Sequence, residues 1–358
     1  MQGTRTSKSD SGRWLPAESV VVVHHTLMNA QVVEDKRPVD YGAWQVIGHI
    51  ARAANGELFV SVALIEPPHV VVLRSSDNGR TWSQPSTVWV NKRAQELNAG
   101  VRGLWVLRSG RLLTVIQVDQ VNTYGAPNTL WCMYSDDAGR TWQVNPRPVD
   151  CSPFWTFSVP TNLFEDEDGH IVLPLEGLLE PAAGREWMKV PHAVGYLRSR
   201  DNGATWPERW LALRSGPGTG HVPGEHVTLP LDGGKWVMFI YMRGPDAMFR
   251  AVSFDRGRTW SRPQHVGPVN ANHGALRLPD GGIMLHAMSC GGLQYKVSHD
   301  EGRTWAYEQP LDPPGDCAVS SVVLDERTVL VLHGTPTGPP HSPAYYYSGL
   351  RARFIRKR

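Results

Sequence analysis

Cysteine is scarce in this chain: four in 358 residues, Cys132, Cys151, Cys290 and Cys317. Their spacing matches no metal-ligand pattern, and four are few for a disulfide scaffold, so unpaired buried thiols are the expectation. Charge of one sign is scarce as well. The 36 Lys and Arg nearly cancel the 34 Asp and Glu, leaving +2, which gives no electrostatic footprint for nucleic acid or an acidic membrane. Long apolar runs are missing: Val20 to Val23 is shorter than a signal-peptide core, and nothing approaches membrane-spanning length. The chain thus reads as soluble, with the cytoplasm as default location, although a processed precursor would read the same. No cofactor, nucleic-acid or membrane partner is expected, and oligomeric state is open.

What the chain has is a repeat. Ser-x-Asp-x-Gly-x-Thr-Trp occurs five times, at Ser75–Trp82, Ser135–Trp142, Ser199–Trp206, Ser253–Trp260 and Ser298–Trp305. The aspartates Asp77, Asp137, Asp201, Asp255 and Asp300 stand 60, 64, 54 and 45 residues apart. A long self-similar period marks repeated supersecondary units, propeller blades above all. Within each copy Asp can close an Asx-type turn on nearby amides, and Gly supplies positive φ. Thr and Trp restart a strand and add one large apolar anchor. Each aspartate has a turn to hold, so none is a catalytic candidate.

This octapeptide is the Asp-box, and with it the chain, from about residue 45 onward, resembles the sialidase superfamily. The resemblance implies an all-β, six-bladed β-propeller with Asp-box hairpins. The motif names a fold family, not a reaction. Apolar strands ending at turns give six hairpins: 47–61, 99–116, 159–174, 225–240, 273–285 and 319–333. The turns are Asn55-Gly56, Ser109-Gly110, Asp168-Gly169, Asp232-Gly233, Asp280-Gly281 and the region of Glu326 to Thr328. Six residues before each turn stand Ile50, Leu104, Leu163, Val227, Ala275 and Val322, all apolar. Eight before it stand Gly48, Arg102, Thr161, Glu225, His273 and Ser320, mostly polar or small. Period-2 alternation places both sets on one side of the strand, so the polar set is expected where the inner strands begin, ringing the channel mouth. Residues 1–18 are expected to be a flexible segment and 19–358 one propeller. Ser19 to His25 and Tyr346 to Ile355 should share the sixth blade, since an open ring would expose sheet edges.

The resemblance also implies a catalytic pattern: three carboxylate-clamping arginines, a tyrosine nucleophile with an activating glutamate, and an aspartate acid/base. Glu225 and Arg243 occupy the fourth-blade positions. The first clamp arginine is replaced in Val46-Ile47-Gly48, the fifth-blade arginine is missing from Gly291 to Lys296, and the tyrosine falls on Val319. Glu66, in Ile65-Glu66-Pro67-Pro68-His69, stands near the acid/base position. Glu176 and Glu180 are further carboxylates beside the third blade. Bland readings accompany each: Glu225 and Glu66 as solvated carboxylates, and Arg243 as a partner of Asp246.

Among the histidines, His221 to His226 gathers two His and a Glu, but Pro223 and Gly224 exclude the helix a metalloprotease motif needs. No metal is expected. His49, His226 and His273 suit hydrogen bonds to sugar hydroxyls, or the capping of strand ends. Trp44, Trp105, Trp155 and Trp187 lie outside the boxes; one or two can stack on sugars, with Trp105 expected in the core.

The leading reading is a carbohydrate-active enzyme, an exo-glycosidase acting on a (conceivably acidic) sugar at the channel mouth. Glu225, with Glu66 or Glu176, would do carboxylate catalysis, while Arg243, Arg102, His273, His226 and His49 bind substrate. The alternatives are an exo-α-sialidase with its nucleophile displaced to Tyr345, Tyr346 or Tyr347, and a glycan-binding propeller without turnover.

Overall fold

Each Asp-box closes on itself in the same way. In the first copy Ser75 Oγ donates to Asp77 Oδ1 at 2.8 Å and accepts from the Gly79 N–H at 2.9 Å, while the Thr81 N–H and hydroxyl both donate to Asp77. The fifth copy repeats this from Ser298 to Thr304. The turn needs two successive residues at positive φ. Asn78, Ala138, Asn202, Arg256 and Glu301 lie at φ 56–61°, each followed by the box glycine.

The computed structural model describes residues 12–23, 48–64, 69–90, 97–120, 126–160, 163–182, 189–215, 221–243, 245, 247–268, 271–289, 292–311, 319–335 and 349–358. Their strands form six antiparallel sheets, the blades of a six-bladed propeller. Strand β1 (Trp14–Val23) comes first in the chain and joins the last blade. Blade 1 holds β2 (His49–Arg52), β3 (Leu58–Leu64), β4 (His69–Ser75) and β5 (Ser86–Val90). Blade 2 holds β6 (Leu97–Val106), β7 (Leu112–Gln120), β8 (Thr129–Ser135) and β9 (Gln143–Val144). Blade 3 has a split inner strand, β10 (Thr156–Ser158) and β11 (Phe164–Glu165), followed by β12 (Ile171–Leu178), β13 (His192–Ser199) and β14 (Glu208–Arg214). Blade 4 runs β15 (Val222–Pro230), β16 (Trp236–Arg243), β17 (Ala247–Ser253) and β18 (Gln264–Pro268). Blade 5 runs β19 (Ala271–Arg277), β20 (Ile283–Ser289), β21 (Gly292–Ser298) and β22 (Tyr307–Pro310). Blade 6 is β23 (Val319–Asp325), β24 (Thr328–Thr335), β25 (Gly349–Lys357) and β1, in the order β1-β25-β24-β23.

Inner strands neighbour one another: β2 lies beside β6 and β23, and β19 beside β15 and β23. Ile50, Leu104, Leu163 and Val227 are buried, and the Ile50 N–H donates to Ser320 Oγ of blade 6 at 3.1 Å. The boxes join blades as well as strands. Box carbonyls accept from the blade before: Ser86 Oγ to Gly139 at 2.6 Å, and Asn145 Nδ2 to Gly203 at 2.8 Å. Gly302 sits against the Phe239 ring of blade 4, where a Cβ would overlap it.

One boundary is corrected. β1 starts at Trp14, inside the segment expected to be flexible. The Trp14 indole is fully buried and donates to Asp280 Oδ2 at 3.2 Å, and its carbonyl accepts from Tyr295 Oη at 2.9 Å. An aromatic this large, clamped by the fifth blade, orders the strand before the expected Ser19. His24 and His25 lie outside the described residues, as do Trp44 and Trp187. Cys132 and Cys151 are buried free thiols; Cys290 and Cys317 are outside.

Candidate functional site

Three residues of the polar register fall at bulges. In β6 the ladder steps from Val101↔Ile116 to Gly103↔Val115, leaving Arg102 as the extra residue. In β15 it steps from Gly224↔Tyr241 to Val227↔Phe239, spanning Glu225 and His226. In β19 it steps from Asn272 to Gly274 across His273. A bulge re-aims a side chain and ends regular pairing, so simple alternation does not carry through these positions.

The fourth-blade bulge builds the centre of the site. Glu225 has φ 44°, a left-handed conformation costing a non-glycine residue about 1–2 kcal/mol. Two contacts hold it. Its backbone N–H donates to Oε2 of Glu176, on β12 of the preceding blade, and its own Oε1 accepts from Arg243 Nη2 at 2.7 Å. The His226 N–H also serves the Glu176 carboxylate. Consecutive amides at a left-handed residue form a small anion-holding nest. Gly224 makes room for the arginine: a Cβ there would overlap the guanidinium of Arg243.

Both carboxyls titrate high. Burial pushes Glu176 up to about 7, with Arg243 opposing and the Glu225 charge adding to the rise. Burial also raises Glu225, against the pull of Arg243. Oε2 of Glu225 is buried with no hydrogen-bond partner among the described residues. The arrangement is therefore one carboxyl poised near neutrality beside a second that is bound to a cation on one oxygen.

A second cation stands on the neighbouring blade. Arg102 has its Nε buried without a hydrogen bond. Burial lowers its pKa, while Asp119 and Glu176 favour its charged form. Asp119 is gripped by amides: Gln117 Nε2 donates at 2.8 and 3.1 Å, and Asn128 Nδ2 at 2.9 Å. Asn128 also bonds the Phe157 backbone through both ends of its amide, tying blade 2 to blade 3. His49 is buried near Arg102; burial first, then that arginine, push its pKa down to about 3, so the ring is neutral.

Hydrogen bonds thus join Glu225, Arg243 and Glu176, while charge links Arg102 to Glu176 and His49 to Arg102. Arg243 pairs with Glu225; Asp246, its other expected partner, lies outside the described residues, as do Glu66 and Tyr345 to Tyr347. Val319 and His273 are placed as strand residues only. His226 is corrected. Its ring is fully buried, edge-on to Tyr196 at 5.7 Å between centroids, and burial lowers its pKa to about 3. Neighbours at the bulge face different ways, so His226 offers the site an amide, not an imidazole. Glu180 is exposed, as is Trp155, and Trp105 packs against the core. Asp119, Gln117 and Asn128 went unread, because their grouping arises across a hairpin and a blade boundary. Asp166, Asp168 and His170 cluster at the third-blade turn, where Arg198 sits 3.4 Å from Asp166 and Arg256 pairs with Asp168. Cations already serve those carboxylates.

Residues 66–313 match the BNR repeat-like domain model. Two curated relatives are sialidases. That of Micromonospora viridifaciens is 27% identical over 202 residues, 50% of this chain and 31% of the relative. That of Paraclostridium sordellii is 28% identical over 210 residues, 52% of this chain and 48% of the relative. The matched part therefore spans less than half of either protein. Among solved structures, the α-L-arabinanase of Penicillium chrysogenum, complexed with arabinobiose, superposes with a TM-score of 0.69 at 15% identity, covering 95% of this chain and 98% of that one.

Proposed function

We propose a function from one premise: the chain belongs to the BNR repeat-like domain family of the sialidase superfamily. It is a glycosidase-type propeller, and the reading its channel mouth supports best is an exo-glycosidase using Glu225 and Glu176. The observation that carries this reading is the Glu176 carboxylate seated on the backbone N–H of Glu225 across two adjacent blades, with Arg243 on the Glu225 carboxylate.

Arg243 favours the ionised form of Glu225 against the effect of burial, and a Glu225 carboxylate oxygen is the proposed nucleophile. That oxygen bonds to the anomeric carbon as the bond to the leaving oxygen breaks, and Glu176 gives its proton to the departing alcohol. Water then attacks the same carbon, Glu176 takes the water's proton, and Glu225 leaves as carboxylate. A separation of about 5 Å between the carboxyl groups would accord with this double displacement, and one of roughly 6.5–9.5 Å with inversion. A glycan-binding propeller without turnover would use the same residues as hydrogen-bond partners and show binding without hydrolysis. The exo-sialidase alternative draws support from the two sialidase relatives.

The test is hydrolysis of an aryl-glycoside panel that includes an α-L-arabinofuranoside and an α-sialoside. The first-formed anomer, followed by NMR, should be the retained one. Azide should rescue Glu225→Gly with the inverted glycosyl azide and Glu176→Gly with the retained one. Undiminished turnover by Glu225→Gln sinks the assignment, and cleavage of the sialoside alone, dependent on one of Tyr345 to Tyr347, establishes the alternative.

A further inference from the structure

We propose that Tyr196 is a positioning residue for the carboxylate pair, holding from blade 3 the bulged strand of blade 4 that carries Glu225. The proposal rests on reading Glu225 and Glu176 as the working pair. Tyr196 lies on β13 opposite Pro174 of β12, two residues before Glu176. Its side chain crosses to blade 4 and meets β15 immediately after Glu225. The His226 imidazole stands edge-on to the phenol ring, with 5.7 Å between centroids. The Tyr196 hydroxyl is 2.6 Å from Thr228 Oγ1 and 3.4 Å from Met238 Sδ. Thr228 and Met238 are ladder partners just past the bulge. One side chain of blade 3 thus grips both His226, whose amide joins that of Glu225 on Glu176, and the regular ladder that follows.

The grip is itself held. Tyr196, His226 and Thr228 are buried, and the phenol ring lies 5.4 Å from Trp210 of blade 3, 5.8 Å from Trp236 and 6.1 Å from Trp260 of blade 4. Glu225 needs such support, because a non-glycine residue at φ 44° persists only where its surroundings over-determine it. Two further holds on Glu225, the Arg243 cation and the Glu176 carboxylate, belong to the site and change as protons move. Tyr196 does not change with them, since burial pushes its phenol up. The two amides therefore stay aimed at Glu176 in every protonation state of the pair.

The experiment follows the Glu176 carboxyl by carbon-detected NMR titration of the full chain, its signal assigned through Glu176→Gln. The native protein is compared with Tyr196→Phe, Thr228→Val, their double variant and Thr228→Ser. Glu225 and Arg243 on blade 4 and Arg102 on blade 2 are the charged groups that act on Glu176, and no variant alters them. Amide hydrogen bonds favour the ionised carboxyl, so loosening them should raise the Glu176 midpoint from about 7 by roughly half a pH unit or more in each single variant. The double variant should move no further, because both groups act through one contact. Thr228→Ser keeps the hydroxyl and should leave the midpoint in place. On an aryl glycoside kcat should fall by about tenfold in Tyr196→Phe, with KM within about twofold. Should Tyr196→Phe not fold, Thr228→Val decides. An unmoved midpoint in the folded single variants, additive shifts in the double variant, or an equal shift in Thr228→Ser overturns the proposal. Shifted midpoints in a chain that cleaves no glycoside sustain it while removing the catalytic reading; hydrolysis with unmoved midpoints does the reverse.

Discussion

The backbone N–H of Glu225 donates to the side-chain carboxylate of Glu176, across the boundary between the fourth and third blades. The Glu225 charge also raises the pKa of Glu176, so the two acids are coupled and their protons leave as a pair with macroscopic values. The rate should follow a bell. Its acid limb lies above the ordinary carboxyl value of 4.5, because burial raises Glu225. Its alkaline limb falls near pH 7, where Glu176 loses the proton it must donate. In Glu176→Gln the alkaline limb should vanish and kcat should drop by about 10²–10⁴ on poor leaving groups, far less on nitrophenolates. Initial-rate profiles between pH 4 and about 9 check this; an alkaline limb surviving in Glu176→Gln removes Glu176 from the role.

Gly224→Ala is expected to separate activity from stability. The added methyl overlaps only the far end of the Arg243 side chain, which can swing away without moving backbone. Glu225 then loses its cation, and a buried carboxyl without one titrates higher still. The acid limb should shift upward and kcat fall by roughly tenfold or more, with little change in Tm. Profiles and thermal melts on the same sample measure both; an unaltered acid limb would show that Arg243 does not govern Glu225.

The limits of the sequence are visible at these residues. The Asp-boxes give the repeat, and counting back from the turns gives Arg102, Glu225 and His273 one register position, at which each of the three ladders bulges. What the count leaves out is the bulge. One inserted residue leaves the apolar pattern intact while reversing which neighbour faces the site, so Glu225 and His226 read alike and behave differently. Glu176 stood among several carboxylates, since its partner lies 49 positions away on another blade. Trp14 was illegible for the same reason: its partners Asp280 and Tyr295 are brought to it only by ring closure.

Gly302→Ala should be costly. The residue holds φ 80°, and its missing Cβ is the space the Phe239 ring of blade 4 fills. A left-handed alanine and an overpacked interface together predict a loss of about 2–4 kcal/mol. Gly110→Ala is the comparison, because it keeps positive φ (85°) with nothing within 4 Å, so only the backbone part, about 1–2 kcal/mol, should remain. Denaturant titrations of both variants measure the difference; equal losses would mean the Phe239 contact contributes nothing.

The box aspartates set the acid limit of the fold. At Asp77 and Asp300 burial raises the pKa, but hydrogen bonds from the box threonine and serine outweigh it and bring the value down to about 2. At Asp137 the Thr141 hydroxyl leads, followed by its amide and Ser135, again lowering the pKa. A folded pKa below the unfolded one means that the native state binds fewer protons, so stability is fully present above about pH 4 and drains away as pH falls toward 2. Five equivalent turns titrating over one window should make the loss steep. Tryptophan fluorescence is a fitting probe, because each box ends in a half-buried or buried indole. The spectrum should hold from neutrality to about pH 4 and then shift cooperatively to that of exposed tryptophan. Asp137→Asn, which keeps the shape but can no longer accept from the Thr141 hydroxyl and amide as an anion, should lower stability at pH 7 and flatten the acid transition. A transition centred well above pH 4, unaffected by that substitution, would place acid sensitivity elsewhere in the molecule.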